Sequence, residues 1–174
     1  MNEPAPLPAH EARTPTLVGI GGIAWSGDPA VVYSTLLGSC IAVCLWDPVA
    51  GKGGINHFLL AEAPAPGGND TRYGEIALPL LRDNLCAVGC QRVRLRAILA
   101  GGADLLSNMQ PIGTENTVYA RLWLQQQGIP IAHEDVGGVI ARRVRFSPST
   151  GICEVTRVKS PLDPAPAVIP ALSG

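Results

Sequence analysis

Apolar residues in this chain fall mostly into short runs separated by turn residues, which is the pattern of a strand-rich fold. Residues 41–46 are continuously apolar and end at an Asp-Pro pair, and a second apolar segment, residues 55–60, follows a glycine-rich turn. Short apolar runs bounded by turn residues predict strands that are buried on both faces. The short connection between these two segments predicts that they form a hairpin.

The rest of the chain predicts further strands. Arginines alternate with apolar residues over residues 92–100, which is the period of a strand with one solvated face. Other extended segments, each bounded by turn residues, are expected at residues 17–25, from residue 31, and at 129–132, 139–146 and 152–158.

Helical spacing of apolar residues is clear in only two segments, residues 73–88 and 116–127, and Gly128 is placed to end the second. Pro79 predicts either a kink in the first helix or a later start, near Leu78. Residues 103–109 are expected to form a short helix. This alternation predicts an α+β fold, with a mixed β-sheet core and helices packed outside it.

Length and composition indicate the domain organisation of the chain and the cellular location of the protein. The length of 174 residues suits one domain, expected at residues 16–159. Residues 1–15 and the proline-rich residues 160–174 lack periodicity and are expected to be flexible tails. Neither a secretory signal pattern nor an apolar run approaching the ~20 residues of a membrane span is found, so a soluble, cytoplasmic protein is expected.

Charge and cysteine content narrow the possible functions. The net charge is −1 with both signs dispersed, so nothing indicates a nucleic-acid partner. Five cysteines make an odd number, and a domain of this size can build a core without cross-links. Reduced thiols are therefore expected.

The strongest candidate chemistry lies around Cys40, which follows the small residues Gly38 and Ser39 and opens the first strand of the predicted hairpin. His57 lies seventeen positions later, within the second strand, so hairpin pairing can bring the two side chains together. A cysteine and a histidine in contact are the groups that thiol-dependent acyl chemistry requires. The hydroxyls of Ser34 and Thr35 are candidates for orienting the imidazole.

Three other candidate sites are disfavoured by the pattern. His133 is a competing base, but Glu134 and Asp135 follow it, and this indicates a surface histidine. The Cys-x3-Cys spacing occurs twice, at residues 40–44 and 86–90, and it is wider than that of a zinc knuckle. The Gly101-Gly102 pair is better explained by a tight turn than by an anion site.

The motifs around Cys40 and His57 resemble the CheD family of chemoreceptor glutamine deamidases. Residues 37–48 read LGSCIAVCLWDP and residues 53–58 read GGINHF, with the family's spacing between cysteine and histidine. Further matches follow in the same order, so that the resemblance covers about residues 17–158: Arg72-Tyr73-Gly74, Gly101-Gly102-Ala103, Ile112-Gly113-x-x-Asn116, Gly128-Ile129, Asp135-x-Gly137-Gly138 and Arg142-x-Val144-x-Phe146.

This resemblance implies hydrolysis of particular glutamine side-chain amides in methyl-accepting chemotaxis receptors, giving glutamate and ammonia. It places the catalytic cysteine on Cys40 and the catalytic histidine on His57. The third catalytic position, a threonine in the family, falls on Ser34 by ungapped spacing, with Thr35 beside it. The family's Gly-x-Arg-Asn segment lacks its arginine here, where Glu115 precedes Asn116.

The resemblance also implies a fold similar to toxin deamidase domains, a mixed β-sandwich with flanking helices. It implies no metal or organic cofactor, and in some members a CheC phosphatase as a partner that docks near the active site. Two rival interpretations are a binding module that regulates such a partner without catalysis, and a thiol protease, which the side-chain amide specificity of the family disfavours.

Overall fold

The computed structural model describes residues 14–105 and 110–158, and the backbone of residues 168–169. These residues form two five-stranded sheets and two α-helices, so the predicted α+β sandwich with flanking helices is confirmed. One sheet has the strand order β1-β3-β8-β9-β10 and the other β2-β5-β4-β6-β7. The strands are β1 Thr16–Leu17, β2 Ile23–Ser26, β3 Tyr33–Leu37, β4 Ile41–Asp47, β5 Lys52–Phe58, β6 Arg96–Gly101, β7 Ile131–Val136, β8 Ala141–Ser147, β9 Ile152–Val158 and β10 Val168–Ile169; the helices are α1 Gly74–Ala87 and α2 Ile112–Gln127.

Three layers result, because the second sheet is covered on both faces. The face of β4 that carries Ile41, Val43 and Leu45 packs with the apolar sides of α1 and α2. Its other face, with Ala42 and Cys44, packs against the first sheet. Every residue of β4 is buried, which explains why its sequence is a continuous apolar run rather than an alternating one. The predicted β4–β5 hairpin is confirmed, with Ala42 opposite His57.

Sequence periodicity misplaced two element boundaries. The predicted strand over 92–100 begins only at Arg96, because residues Arg92–Arg94 form a 3₁₀ turn. That turn directs Arg94 to the carboxylate of Asp47 and Arg92 to Gln127, contacts that a straight strand would not allow. Helix α2 begins at Ile112, four residues before the expected start, and ends as predicted where Gly128 takes a left-handed conformation with φ of 67°.

Other sequence predictions fall partly outside the described residues. Residues 103–105 are not helical, and residues 106–109 of the predicted short helix lie outside the described part of the chain. The expected tails lie outside it as well, apart from residues 14–15 at one end and 168–169 at the other. The latter two pair with β9 as the edge strand β10. Among the described residues, no helix is long and apolar enough to cross a membrane.

Pro79 lies inside α1, which begins at Gly74 and therefore does not start late. Proline in a helix interior costs about 3 kcal/mol because a hydrogen bond is lost. The helix buries Ala77, Leu78, Leu81 and Leu85. Burying one leucine side chain stabilises by about 1.5–3 kcal/mol, so the packing of this face outweighs the cost of the proline.

A buried carboxylate anchors the end of β4 that is remote from Cys40. Asp47 is fully buried and accepts hydrogen bonds from the Arg94 guanidinium and from the backbone amides of Val49, Ala50 and Gln91. Burial alone would raise the pKa of Asp47, but the Arg94 guanidinium and these amides outweigh it and hold the pKa well below its usual range. The charged form is therefore the one that the fold stabilises.

We expect Asp47→Ala to lower the free energy of unfolding by about 3 kcal/mol, because several buried donors lose their acceptor. Urea denaturation measures this loss. Asp70→Ala is the control, since Asp70 also pairs with an arginine, Arg72, but at the surface. Its change should be within experimental error. Equal stability of Asp47→Ala and the wild type would contradict the anchoring role.

Candidate active site

Cys40 lies in the turn between β3 and β4, immediately before the first residue of β4. Its side chain is 7% exposed and belongs to the core between the two sheets. The carbonyl of Cys40 accepts a hydrogen bond from the Gly102 amide, and the carbonyl of Gly38 accepts one from the Ala103 amide. Gly101 has φ of 107° and lies so close to the Cys40 carbonyl that a Cβ there would overlap it. The Gly101-Gly102 pair thus packs against the backbone of residues 38–40, which form the cysteine turn.

Strand register places His57 diagonally across from Cys40. His57 lies opposite Ala42 in the β4–β5 ladder, and Cys40 is two residues before Ala42 on the same face of the sheet. Such a diagonal pair of residues is separated by about 7–8 Å between backbones, within reach of an imidazole. The His57 backbone is itself fixed to the segment before β2, since its amide donates to the Gly22 carbonyl. The hairpin therefore positions the two groups that the sequence pairs.

Thr35, rather than Ser34, contacts the histidine. The Thr35 hydroxyl oxygen lies 2.8 Å from Nδ1 of His57. The Ser34 hydroxyl instead donates to the Val144 carbonyl of the adjacent strand β8 at 2.8 Å. Successive side chains of a strand point to opposite faces, and Tyr33 and Leu37 face the core between the sheets. Thr35 shares their face and points to His57. The family's ungapped spacing from Cys40 falls on Ser34, whose side chain points to the opposite face.

The hydrogen bonds around Thr35 determine the tautomer of His57. The Thr35 hydroxyl has one hydrogen, and it goes to the Val18 carbonyl at 2.6 Å, because a carbonyl can only accept. The bond between Thr35 and His57 must then be donated by Nδ1–H of the imidazole. In the neutral ring Nε2 therefore carries the lone pair. Nε2 is buried and has no hydrogen-bond partner among the described residues, so it is available as a base.

Burial shifts both groups towards their neutral forms. Desolvation raises the pKa of the Cys40 thiol, although the residue's own backbone amide acts in the opposite direction. Desolvation lowers the pKa of His57, and its hydrogen bond to the Val18 carbonyl only partly offsets this. Both shifts favour a resting pair of a thiol and a neutral imidazole over a thiolate and an imidazolium.

The competing sites from the sequence are separated from Cys40. His133 pairs with Ile98, which pairs with Cys44, so it lies two strands away and about 13 Å further along the strand direction. Cys90 packs on the helix side of the second sheet, whereas Cys40 and Cys44 lie on the opposite side. The two Cys-x3-Cys pairs therefore do not converge. Among the residues the structure describes, no group of three or more His, Cys, Asp or Glu side chains forms a metal-binding cluster.

The Val18 carbonyl is a part of this arrangement that no sequence pattern indicated. It accepts from both Thr35 and His57, and its own residue is held by the bond from its amide to the Ser34 carbonyl. Every residue has a backbone carbonyl oxygen, so the amino-acid sequence does not indicate which of them lies beside the imidazole. Only the parallel pairing of β1 with β3 places it beside the imidazole.

Comparison with known proteins gives the family. The family model described as CheD chemotactic sensory transduction matches residues 59–157. The protein named probable chemoreceptor glutamine deamidase CheD 1 of Ruegeria sp. (strain TM1040) is 44% identical over 131 residues, 75% of this chain and 70% of the relative. A probable chemoreceptor glutamine deamidase CheD of Zymomonas mobilis is 46% identical over 141 residues, 78% of this chain and 75% of the relative. A solved structure, the hypothetical protein YfiH of Bacillus licheniformis, is 14% identical with a TM-score of 0.47, covering 74% of this chain and 62% of its own. The matched family model and the two relatives show that this chain belongs to the CheD family.

Proposed function

We propose that this protein is a cysteine-dependent amidohydrolase that deamidates glutamine side chains of methyl-accepting chemotaxis receptors, releasing ammonia. The observation that carries the proposal is the geometry of His57, whose Nδ1 lies against Thr35 and whose buried Nε2 is left open on the face of the sheet that carries Cys40. The names of the relatives, probable chemoreceptor glutamine deamidases, support the substrate. The family model begins after His57, so the roles of Cys40 and His57 depend on this geometry.

The proposed mechanism begins with a neutral pair. Nε2 of His57 takes the proton of the Cys40 thiol as the sulfur attacks the carboxamide carbon of the glutamine. Backbone amides of the cysteine turn stabilise the oxyanion that forms. His57 then gives the proton to the departing amine, so that ammonia leaves and a thioester remains. Water, deprotonated by His57, attacks the thioester and releases the glutamate side chain and the thiol.

The surroundings of Cys40 favour a protein substrate over a free amino acid. Leu105, whose side chain lies against Gly38, is 49% exposed. An exposed apolar side chain beside the proposed nucleophile offers a contact for another protein. We propose the same surface for a CheC-like phosphatase, the further partner that the family resemblance implies.

Mass spectrometry of a receptor cytoplasmic fragment tests this function. Incubation with the wild-type protein should raise the fragment's mass by about one dalton for each glutamine converted, with one ammonia released per conversion. A binding module without catalysis would leave the mass unchanged and only co-elute with the fragment. Cleavage of the fragment into peptides would instead identify a protease.

Substitutions in β3 distinguish the two hydroxyls beside the site. We expect Thr35→Val to lower kcat by about 10- to 100-fold, because the imidazole loses the acceptor that selects its tautomer and orientation. Ser34→Ala, the adjacent hydroxyl deletion, should retain kcat within about twofold, since its partner is the Val144 carbonyl. Steady-state ammonia release measures both. The reverse order of effects would assign the orienting role to Ser34.

The protonation state of the resting pair predicts an alkylation profile. Since the pKa of the Cys40 thiol is raised and that of His57 is lowered, iodoacetamide labelling of Cys40 should accelerate continuously from about pH 6 to pH 9. A thiolate–imidazolium pair would instead give a plateau across that range. Because the base must be neutral, kcat/KM should fall only below about pH 6.5. Peptide mapping after labelling separates Cys40 from the partly exposed Cys86.

A further inference from the structure

The turn that carries the proposed nucleophile has three consecutive carbonyls, and each accepts a hydrogen bond. Backbone amides of the double-glycine segment bond the first and third, at 2.9 Å for Gly38 and 2.8 Å for Cys40. The middle carbonyl, that of Ser39, is bonded by a side chain instead. Its donor is Nδ2 of Asn116 on α2, at 3.0 Å.

Asn116 joins this turn to the strand that carries His57. Its side chain is 1% exposed, and Nδ2 also donates to the Leu59 carbonyl at 2.9 Å. Both hydrogens of the amide are therefore used, and since both acceptors are carbonyls, only the NH₂ end of the side chain can face them. One buried residue thus holds the backbone just before Cys40 and just after His57.

The bond to Ser39 has a consequence for the Cys40 amide. A trans peptide is planar, so the Ser39 carbonyl and the Cys40 N–H point in opposite directions. Holding the carbonyl towards α2 turns the N–H to the side of the Cys40 thiol, where the amide lies close enough to favour the thiolate. Within the described ranges, this N–H donates to no other residue.

We propose that Asn116 is a positioning residue that aims the Cys40 amide at the oxyanion of the reacting carboxamide. This inference rests on the proposed deamidase function. A donor in such a site acts only if it points to the place where charge develops. The β4–β5 ladder sets the separation of Cys40 and His57 without Asn116. Loss of Asn116 should accordingly weaken oxyanion stabilisation and leave the separation of Cys40 and His57 unchanged.

Three variants test this role: Asn116→Ala removes the donor, Asn116→Asp keeps the shape with oxygen in place of the NH₂, and Thr117→Val is the control. Thr117 is buried on the same helix, and its hydroxyl bonds only the Gly113 carbonyl within that helix. For each variant, kcat and KM on the receptor fragment are measured. The pH profile of Cys40 alkylation by iodoacetamide is measured alongside, because it reports whether the Cys40 amide still favours the thiolate.

Both Asn116 variants should lose about 10- to 100-fold in kcat with KM unchanged, and their Cys40 alkylation should rise at a higher pH than in the wild type, because the amide that favours the thiolate is no longer held. Thr117→Val should stay near wild type in both measurements. An unchanged alkylation profile despite a fall in kcat, or failure of both variants to fold when Thr117→Val folds, would show that Asn116 does not act through the Cys40 amide and would overturn the proposal. Full activity of the Asn116 variants would overturn it and leave the deamidase function standing. No deamidation by the wild type would overturn both.

Discussion

Cys40→Ala is expected to abolish ammonia release from receptor glutamines, with a fall in rate of at least about 10⁴-fold. The substitution removes the only protein atom proposed to form a bond with the substrate, and neither His57 nor water in the same site replaces a covalent nucleophile. The fold should persist, because the backbone contacts of the cysteine turn run through the carbonyls of Gly38 and Cys40, which remain. Mass analysis of the receptor fragment measures the loss.

Cys86→Ala is the matched control for this substitution. Cys86 lies on α1 and is the more exposed of the two thiols, so a general effect of thiol loss or oxidation would affect it equally. We expect its deamidation rate to equal that of the wild type. Retention of more than a few per cent of activity in Cys40→Ala would mean that another group attacks the amide, and the covalent mechanism would be wrong.

His57→Gln is expected to lower kcat at neutral pH by about 10² to 10⁴-fold, because one imidazole serves as base for the thiol and as acid for the leaving ammonia. The raised pKa of Cys40 increases this dependence, since few thiol groups ionise unaided near pH 7. Raising the pH should recover part of the loss, because hydroxide can then form the thiolate. The remaining deficit reports the missing proton donor.

His133→Gln provides the control for His57→Gln. His133 lies on the edge strand β7, remote from Cys40 in the ladder, and should be replaceable without loss of kcat. The pH–rate profile of each variant separates the two residues. A His57→Gln enzyme whose rate and pH profile match the wild type would place the base elsewhere, and a large loss in His133→Gln would point to that residue.

The local pattern of apolar and turn residues predicted the part of the site that is formed by residues close together in the sequence. The hairpin was predicted from the continuous apolar run of β4, the glycine-rich turn and the second apolar segment. The register of this hairpin places Cys40 and His57 as a diagonal pair. The stop of α2 at Gly128 was also predicted, because a left-handed residue ends a helix in any tertiary context. The strand predicted over 92–100 started too early because alternation of Arg92 and Arg94 reflects their bonds to Gln127 and Asp47.

The amino-acid sequence by itself determined the candidate nucleophile, the base and the family, because these depend on residue types at a set spacing. Only the tertiary structure decided that Thr35 rather than Ser34 meets the imidazole, since that depends on which face of β3 packs against the second sheet. It also brought the Val18 carbonyl and Asn116 to the site from segments distant in the chain. Contacts through backbone atoms and between separate elements arise from packing, and no local pattern of side chains encodes them.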